Sequence, residues 1–119
     1  MKSTYTGLTR IFKAFVYSSK GLISVFKTEV AFRQELILFI IGTFFCFSLS
    51  LSGIERALLF FSLFLIVLME LINSAIETVI DRISPKYNPL SGRAKDIGSS
   101  LVLMAFVNAI IVWMLVLAF

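Results

Sequence analysis

Histidine is absent from the 119 residues, which removes the side chain that titrates near neutral pH and the usual transition-metal ligand. The single cysteine, Cys46, lies inside an apolar run, so neither an intramolecular disulfide nor a Cys/His metal pattern can form. Proton transfer is therefore left to carboxylates, Lys or Tyr, and any metal should be a hard ion held by oxygen, such as Mg²⁺. There is no G-x-x-x-x-G-K-[ST] loop, no glycine-rich nucleotide loop and no H-R-D motif. The opening residues, "MKSTYTGLTRIF", lack the charged start, short apolar core and small-residue cleavage site of a secretory signal, so the N-terminus is expected to be retained. Neither an internal repeat nor a low-complexity tract is present.

Apolar surface is abundant instead. Hydrophobic residues make up 59% of the chain, Phe alone supplies 13, and the mean hydropathy is +0.98. A soluble core of this size could not hide so much, so lipid must solvate much of it. Apolar segments at 36–52, 57–76 and 97–119 are each near the ~17–25 residues that a spanning helix needs. Residues 7–28 show helical periodicity, with Leu8, Ile11, Phe12, Phe15, Leu22 and Phe26 on one side. Arg10, Lys13, Tyr17, Lys20 and Lys27 fall on the other side, as in a helix lying in the membrane interface, with a helix packed on a soluble partner as the plainer alternative, and Gly21 is a candidate break or bend. The expected fold is an all-α membrane protein of one domain, residues 1–119, with an N-terminal amphipathic surface helix and three transmembrane helices. Lys2, Arg10, Lys13, Lys20, Lys27 and Arg33 precede the first span, and Arg82, Lys86, Arg93 and Lys95 lie between the second and third. Only Arg56 lies between the first two. The positive-inside rule puts the N-terminus and the second loop in the cytoplasm.

The stretch "MELINSAIETVIDR" (69–82) continues the second span and carries Glu70, Asn73, Ser74, Glu77 and Asp81 within an arc of roughly 100°. A carboxylate inside a membrane segment is expensive and points to function by default. A polar seam holding helices together remains an alternative for Asn73 and Ser74. Glu70 and Glu77 are about 10 Å apart along the axis, too far to share one ion readily, so a division of labour is expected. Glu77, nearer the cytoplasmic surface, can meet a hydrated metal, while the deeper Glu70 is the candidate base. "TEVAFRQEL" adds Glu29, Arg33, Gln34 and Glu35 before the first span, and "SGRAKDIGSS" adds Arg93, Lys95 and Asp96 before the third. Acids for a hard metal, cations for phosphate oxygens and a deeper base are the parts that phosphoryl transfer requires. A topology signal and lipid anchor is the plainer reading of Arg93 and Lys95.

"AFRQE" (31–35), "ELINSAIETVIDRIS" (70–84) and "LSGRAKDIGS" (90–99), with weaker matches in "GLTRIFKA" (7–14) and "YSSKGL" (17–22), carry a resemblance. The chain resembles the small integral-membrane prokaryotic diacylglycerol kinases over essentially its whole length. The resemblance implies a homotrimer in the bacterial inner membrane, its active site at the cytoplasmic face and shared between protomers. It would transfer the γ-phosphoryl of MgATP to diacylglycerol, giving phosphatidic acid; no nucleic-acid partner is expected. Glu70 would be the catalytic base, supported by Asn73, and Glu29 and Glu77 would bind Mg²⁺. Nucleotide contacts would come from Arg10, Tyr17, Glu29, Glu77, Lys86, Tyr87, Asn88, Lys95 and Asp96. Lipid contacts would come from Arg10, Ala31, Phe32, Arg33, Gln34, Glu35, Arg56, Glu70 and Ser99. "KYN" (86–88) departs from the pattern, standing where well-known members carry an acid, Tyr and His. The alternatives are an undecaprenol kinase of the same fold, a small transporter with the stripe along an ion path, and a scaffold that uses it for helix association.

Overall fold

A computed structural model of the chain describes residues 6–119; Lys2, counted above among the cations, lies outside the described residues. Four helices follow one another: α1 (Gly7–Thr28), α2 (Val30–Ser48), α3 (Gly53–Ile83) and α4 (Pro89–Ala118). There is no strand among the described residues. The last three helices are long and apolar enough to cross a membrane.

Each junction is built by a few polar side chains. Glu29 is extended (φ −110°, ψ 110°) and alone separates α1 from α2. Helix ends leave carbonyls without partners, and Arg33 answers this for α1. Its Nη1 donates to the carbonyls of Phe26 (2.6 Å) and Lys27 (3.2 Å). Arg56 acts likewise at the end of α2, donating to the carbonyls of Cys46 (3.3 Å) and Leu49 (2.9 Å), with its guanidinium over the Phe47 ring. Ser52 and Glu55 then start α3 with a capping box. Ser52 Oγ accepts from the Glu55 N–H at 3.1 Å and Glu55 Oε1 accepts from the Ser52 N–H at 3.0 Å. Asn88 Oδ1 accepts from the Leu90 N–H at 2.8 Å, and Pro89 opens α4 with a φ already suited to a helix.

The helices do not coincide with the apolar stretches. The apolar run 36–52 includes the non-helical residues 49–52, whereas α2 starts upstream within "VAFRQE". The polar segment "SGRAKD" occupies the first turns of α4. Gly21 does not interrupt α1, which is helical throughout.

At 31 residues α3 is about 46 Å long, and it packs against α2 on one side and α4 on the other. Leu63, Ile66, Ala105 and Ala109 form the buried core, flanked by Phe39 and Trp113. The small residues Gly98, Ala105 and Ala109 are the buried positions of α4, which lets its backbone approach α3 closely. α1 packs chiefly on α2 and buries no residue of its own. Phe44, Ile54 and Met104 turn outward, where lipid rather than water would cover them.

Candidate active site

One face of α3 carries the polar stripe, and its surroundings change along its length. Glu70, Asn73 and Ser74 are 5%, 7% and 4% exposed, Glu77 is half-buried and Asp81 is open. The stripe therefore runs from an enclosed end to a solvated one. Asn73 Nδ2 donates to Glu77 Oε1 at 3.2 Å, which fixes the Glu77 carboxylate against its own helix. Asn73 Oδ1 and Ser74 Oγ have no hydrogen-bond partner although both are buried.

Glu35, on α2, is brought beside the Glu70 carboxyl. Glu35 Oε2 is buried and unpartnered. Glu29 and Glu77 also lie close enough for their charges to act on Glu70. Four acids from two segments of the sequence thus gather around the buried end of the stripe.

At the open end, Lys95 Nζ meets Asp81 Oδ1 at 2.9 Å, joining α4 to α3. Asp81, Lys86, Tyr87, Asn88, Gly92 and Lys95 border a cleft of about 240 Å³ beside this pair. Asp96 and Ser99, one and four residues after Lys95 on α4, are exposed.

The other residues singled out in the sequence are dispersed. Arg10 and Tyr17 stay on α1, exposed, with no hydrogen bond or ion pair to the α3 acids among the described residues. Of the "AFRQE" segment, Phe32 is buried, Arg33 is engaged with α1 carbonyls, and Ala31 and Gln34 are exposed. Arg56 lies fourteen residues before Glu70, about 21 Å along α3, and sits at the opposite end of the bundle. Two features escaped the sequence reading. Glu35, expected at the lipid, packs beside Glu70, a pairing that depends on how two helices meet. Gly98, which has no side chain to signal a role, is buried and faces Asn73.

Among the described residues no group of three or more metal-competent side chains is close enough to hold an ion alone. Mg²⁺ usually takes one or two carboxylates and completes its shell with water and substrate phosphates. Glu29 and Glu77, each near enough to act on Glu70, are oxygen donors of the kind that role needs.

The fold and the site define an α-helical membrane protein with carboxylates and a lysine gathered at one end of its apolar helices. Residues 16–117 match the family described as prokaryotic diacylglycerol kinase. The chain is 45% identical over 117 residues to the diacylglycerol kinase of Escherichia coli (strain K12), covering 98% of this chain and 96% of that protein. It is 46% identical over 108 residues to the diacylglycerol kinase of Haemophilus influenzae, covering 91% and 92% of the two chains. The corresponding figures for the diacylglycerol kinase of Pseudomonas aeruginosa are 40% over 112 residues, 94% and 91%. The chain belongs to the prokaryotic diacylglycerol kinase family.

Proposed function

We propose that this membrane kinase moves the γ-phosphoryl group of ATP to the free hydroxyl of diacylglycerol by direct in-line transfer, giving phosphatidic acid and ADP. The observation that carries this reading is the enclosed Glu70, set against Glu35 and one helical turn from the Asn73–Glu77 pair. A carboxylate at that depth can reach a lipid hydroxyl that water-soluble groups cannot. Glu70 accepts the hydroxyl proton as the oxygen attacks the γ-phosphorus, and the bond to the β-phosphate oxygen breaks. Glu35 packs beside Glu70 and so helps keep the base facing the same space.

Glu29 and Glu77 would hold Mg²⁺, which when bound neutralises charge on the phosphates. Lys95, held by Asp81 beside the cleft, contacts phosphate oxygens and compensates the charge that develops on them. Lys86, Tyr87, Asn88 and Asp96 border the nucleotide from the α3–α4 connection and the start of α4, and Arg10 and Tyr17 approach it from α1. Gln34, Glu35 and Ser99 face the lipid headgroup; Arg56, at the far end of α3, lies outside this site. The amphipathic α1 lies in the membrane interface at the cytoplasmic side of the inner membrane. Three copies assemble so that one protomer's α1 covers a site completed by its neighbour, which accounts for an α1 that buries nothing within its own chain.

The test is transfer of label from [γ-³²P]ATP with Mg²⁺ to dioleoylglycerol and to undecaprenol, side by side in mixed micelles, for the wild type and Glu70→Gln. Labelled phosphatidic acid from the wild type alone is the expected result. Label on undecaprenol instead would replace the acceptor, and none on either lipid from folded protein would overturn the kinase reading.

A further inference from the structure

Asn73 is wedged between two helices. Its Nδ2 holds Glu77, while its Oδ1 lies against the backbone of Gly98 on α4. A methyl group built on Gly98 would stand 2.5 Å from Asn73 Oδ1, 3.5 Å from its Cγ and 3.6 Å from Ile76 Cδ1. The latter two separations are ordinary contacts or nearly so. The amide oxygen alone is in the way, and its residue is 7% exposed.

We infer that Gly98 is a positioning residue: the absence of a side chain there keeps the Asn73 amide turned toward Glu77 and so sets the Glu77 carboxylate. An alanine at position 98 would not need the helices to separate, because rotating the Asn73 side chain relieves the overlap. That same rotation takes Nδ2 off Glu77 Oε1. Asn73 is buried and its Oδ1 makes no hydrogen bond, so no bond to the oxygen holds the original orientation. The fold survives the change and the carboxylate loses the group that orients it. Partners that orient a metal-holding carboxylate are worth about 10–100-fold in metal affinity. The inference rests on the reading of Glu77 as a metal-holding group.

The experiment measures Mn²⁺ affinity by electron paramagnetic resonance in the full-length protein with a non-hydrolysable ATP analogue, so that no turnover is needed. KM for diacylglycerol and the thermal midpoint are measured alongside. The variants are Gly98→Ala, Asn73→Ala, their double, Glu77→Gln, and Ala105→Val, which crowds the same two helices away from Asn73. Gly98→Ala is expected to weaken Mn²⁺ binding about 10–100-fold with KM for diacylglycerol unchanged, and the double variant to match Asn73→Ala alone, since Gly98 acts only through that amide. Ala105→Val lowers the thermal midpoint without moving Mn²⁺ affinity.

Wild-type Mn²⁺ binding in Gly98→Ala, with binding lost in Glu77→Gln, overturns the inference alone. Equal weakening by Ala105→Val overturns it too, since helix separation would then be the cause. Wild-type binding in Glu77→Gln overturns the assignment of Glu77 and the inference with it. A Gly98→Ala variant that does not fold overturns the inference, which requires the fold to survive the change. A double that also fails to fold, while Asn73→Ala folds, overturns the inference.

Discussion

Trp113 on α4 donates its indole N–H to Ser62 Oγ on α3 at 3.1 Å, while Ser62 donates onward to the Leu59 carbonyl at 2.7 Å. Ser62 is buried in a stretch that is otherwise apolar. Hydrogen bonds between membrane helices contribute about 0.6–2 kcal/mol. Ser62→Ala and Trp113→Phe should each lower stability within that range, and the double variant should lose less than the sum of the two. Thermal unfolding in micelles measures this, and strictly additive losses would show that the bond contributes nothing.

Glu70→Gln keeps the shape of the side chain and removes its capacity to accept a proton. Turnover should fall by about 10²–10⁴-fold with the oligomer and thermal midpoint retained. Phosphatidic acid formation within a few-fold of wild type would remove Glu70 from the role of base.

Glu77→Gln should raise the free Mg²⁺ needed for half-maximal rate by at least about tenfold, with KM for diacylglycerol little altered. A Mg²⁺ titration that superimposes on the wild type would sink the assignment.

The Lys95–Asp81 pair has both side chains substantially in solvent, 43% and 63% exposed. Exposed ion pairs contribute about 0–1 kcal/mol, so Asp81→Asn should leave the thermal midpoint nearly unchanged and raise KM for ATP by loosening Lys95. A large loss of stability with unaltered ATP kinetics would make the pair structural.

Gly42 on α2 packs so closely on Leu63 that a methyl group there would run into the Leu63 side chain. Leu63 is buried in the α3 core and cannot swing clear freely. Gly42→Ala should destabilise by about 1–3 kcal/mol, and Leu63→Val in the same chain should recover part of the loss. No recovery would place the obstruction elsewhere.

Much of this was legible in the sequence because hydropathy and helical spacing are local properties. The apolar runs announce the helices, and the spacing of Glu70, Asn73, Glu77 and Asp81 puts them on one face without reference to anything else. Helix ends were less legible. "SGRAKD" is polar and reads as loop, although Asn88 and Pro89 form an ordinary helix start. Residues 49–52 are mostly apolar or small and read as span, although Ser52 and Glu55 carry the capping signal. Hydropathy reports the surrounding solvent, whereas helix ends are set by unpaired backbone groups, and the two need not coincide. The Glu35–Glu70 contact and the fit of Asn73 against Gly98 belong to helix packing. Spacing along one chain does not encode which residues of two helices meet.

The unbroken α3 joins the capped turn at Arg56 to the acid at Glu70 by a rigid rod of about 21 Å. A bilayer, unlike the rod, varies in thickness with its acyl chains. Whichever lipid surrounds the protein, the rod sets how far Glu70 stands from the opposite interface, and the thickness sets how far it stands from the nearer one. Lipids of different chain length should therefore raise or lower the plane of diacylglycerol hydroxyls past a fixed carboxylate. With Glu70 as the proposed base, the host membrane is expected to influence the rate alongside the substrate's own structure.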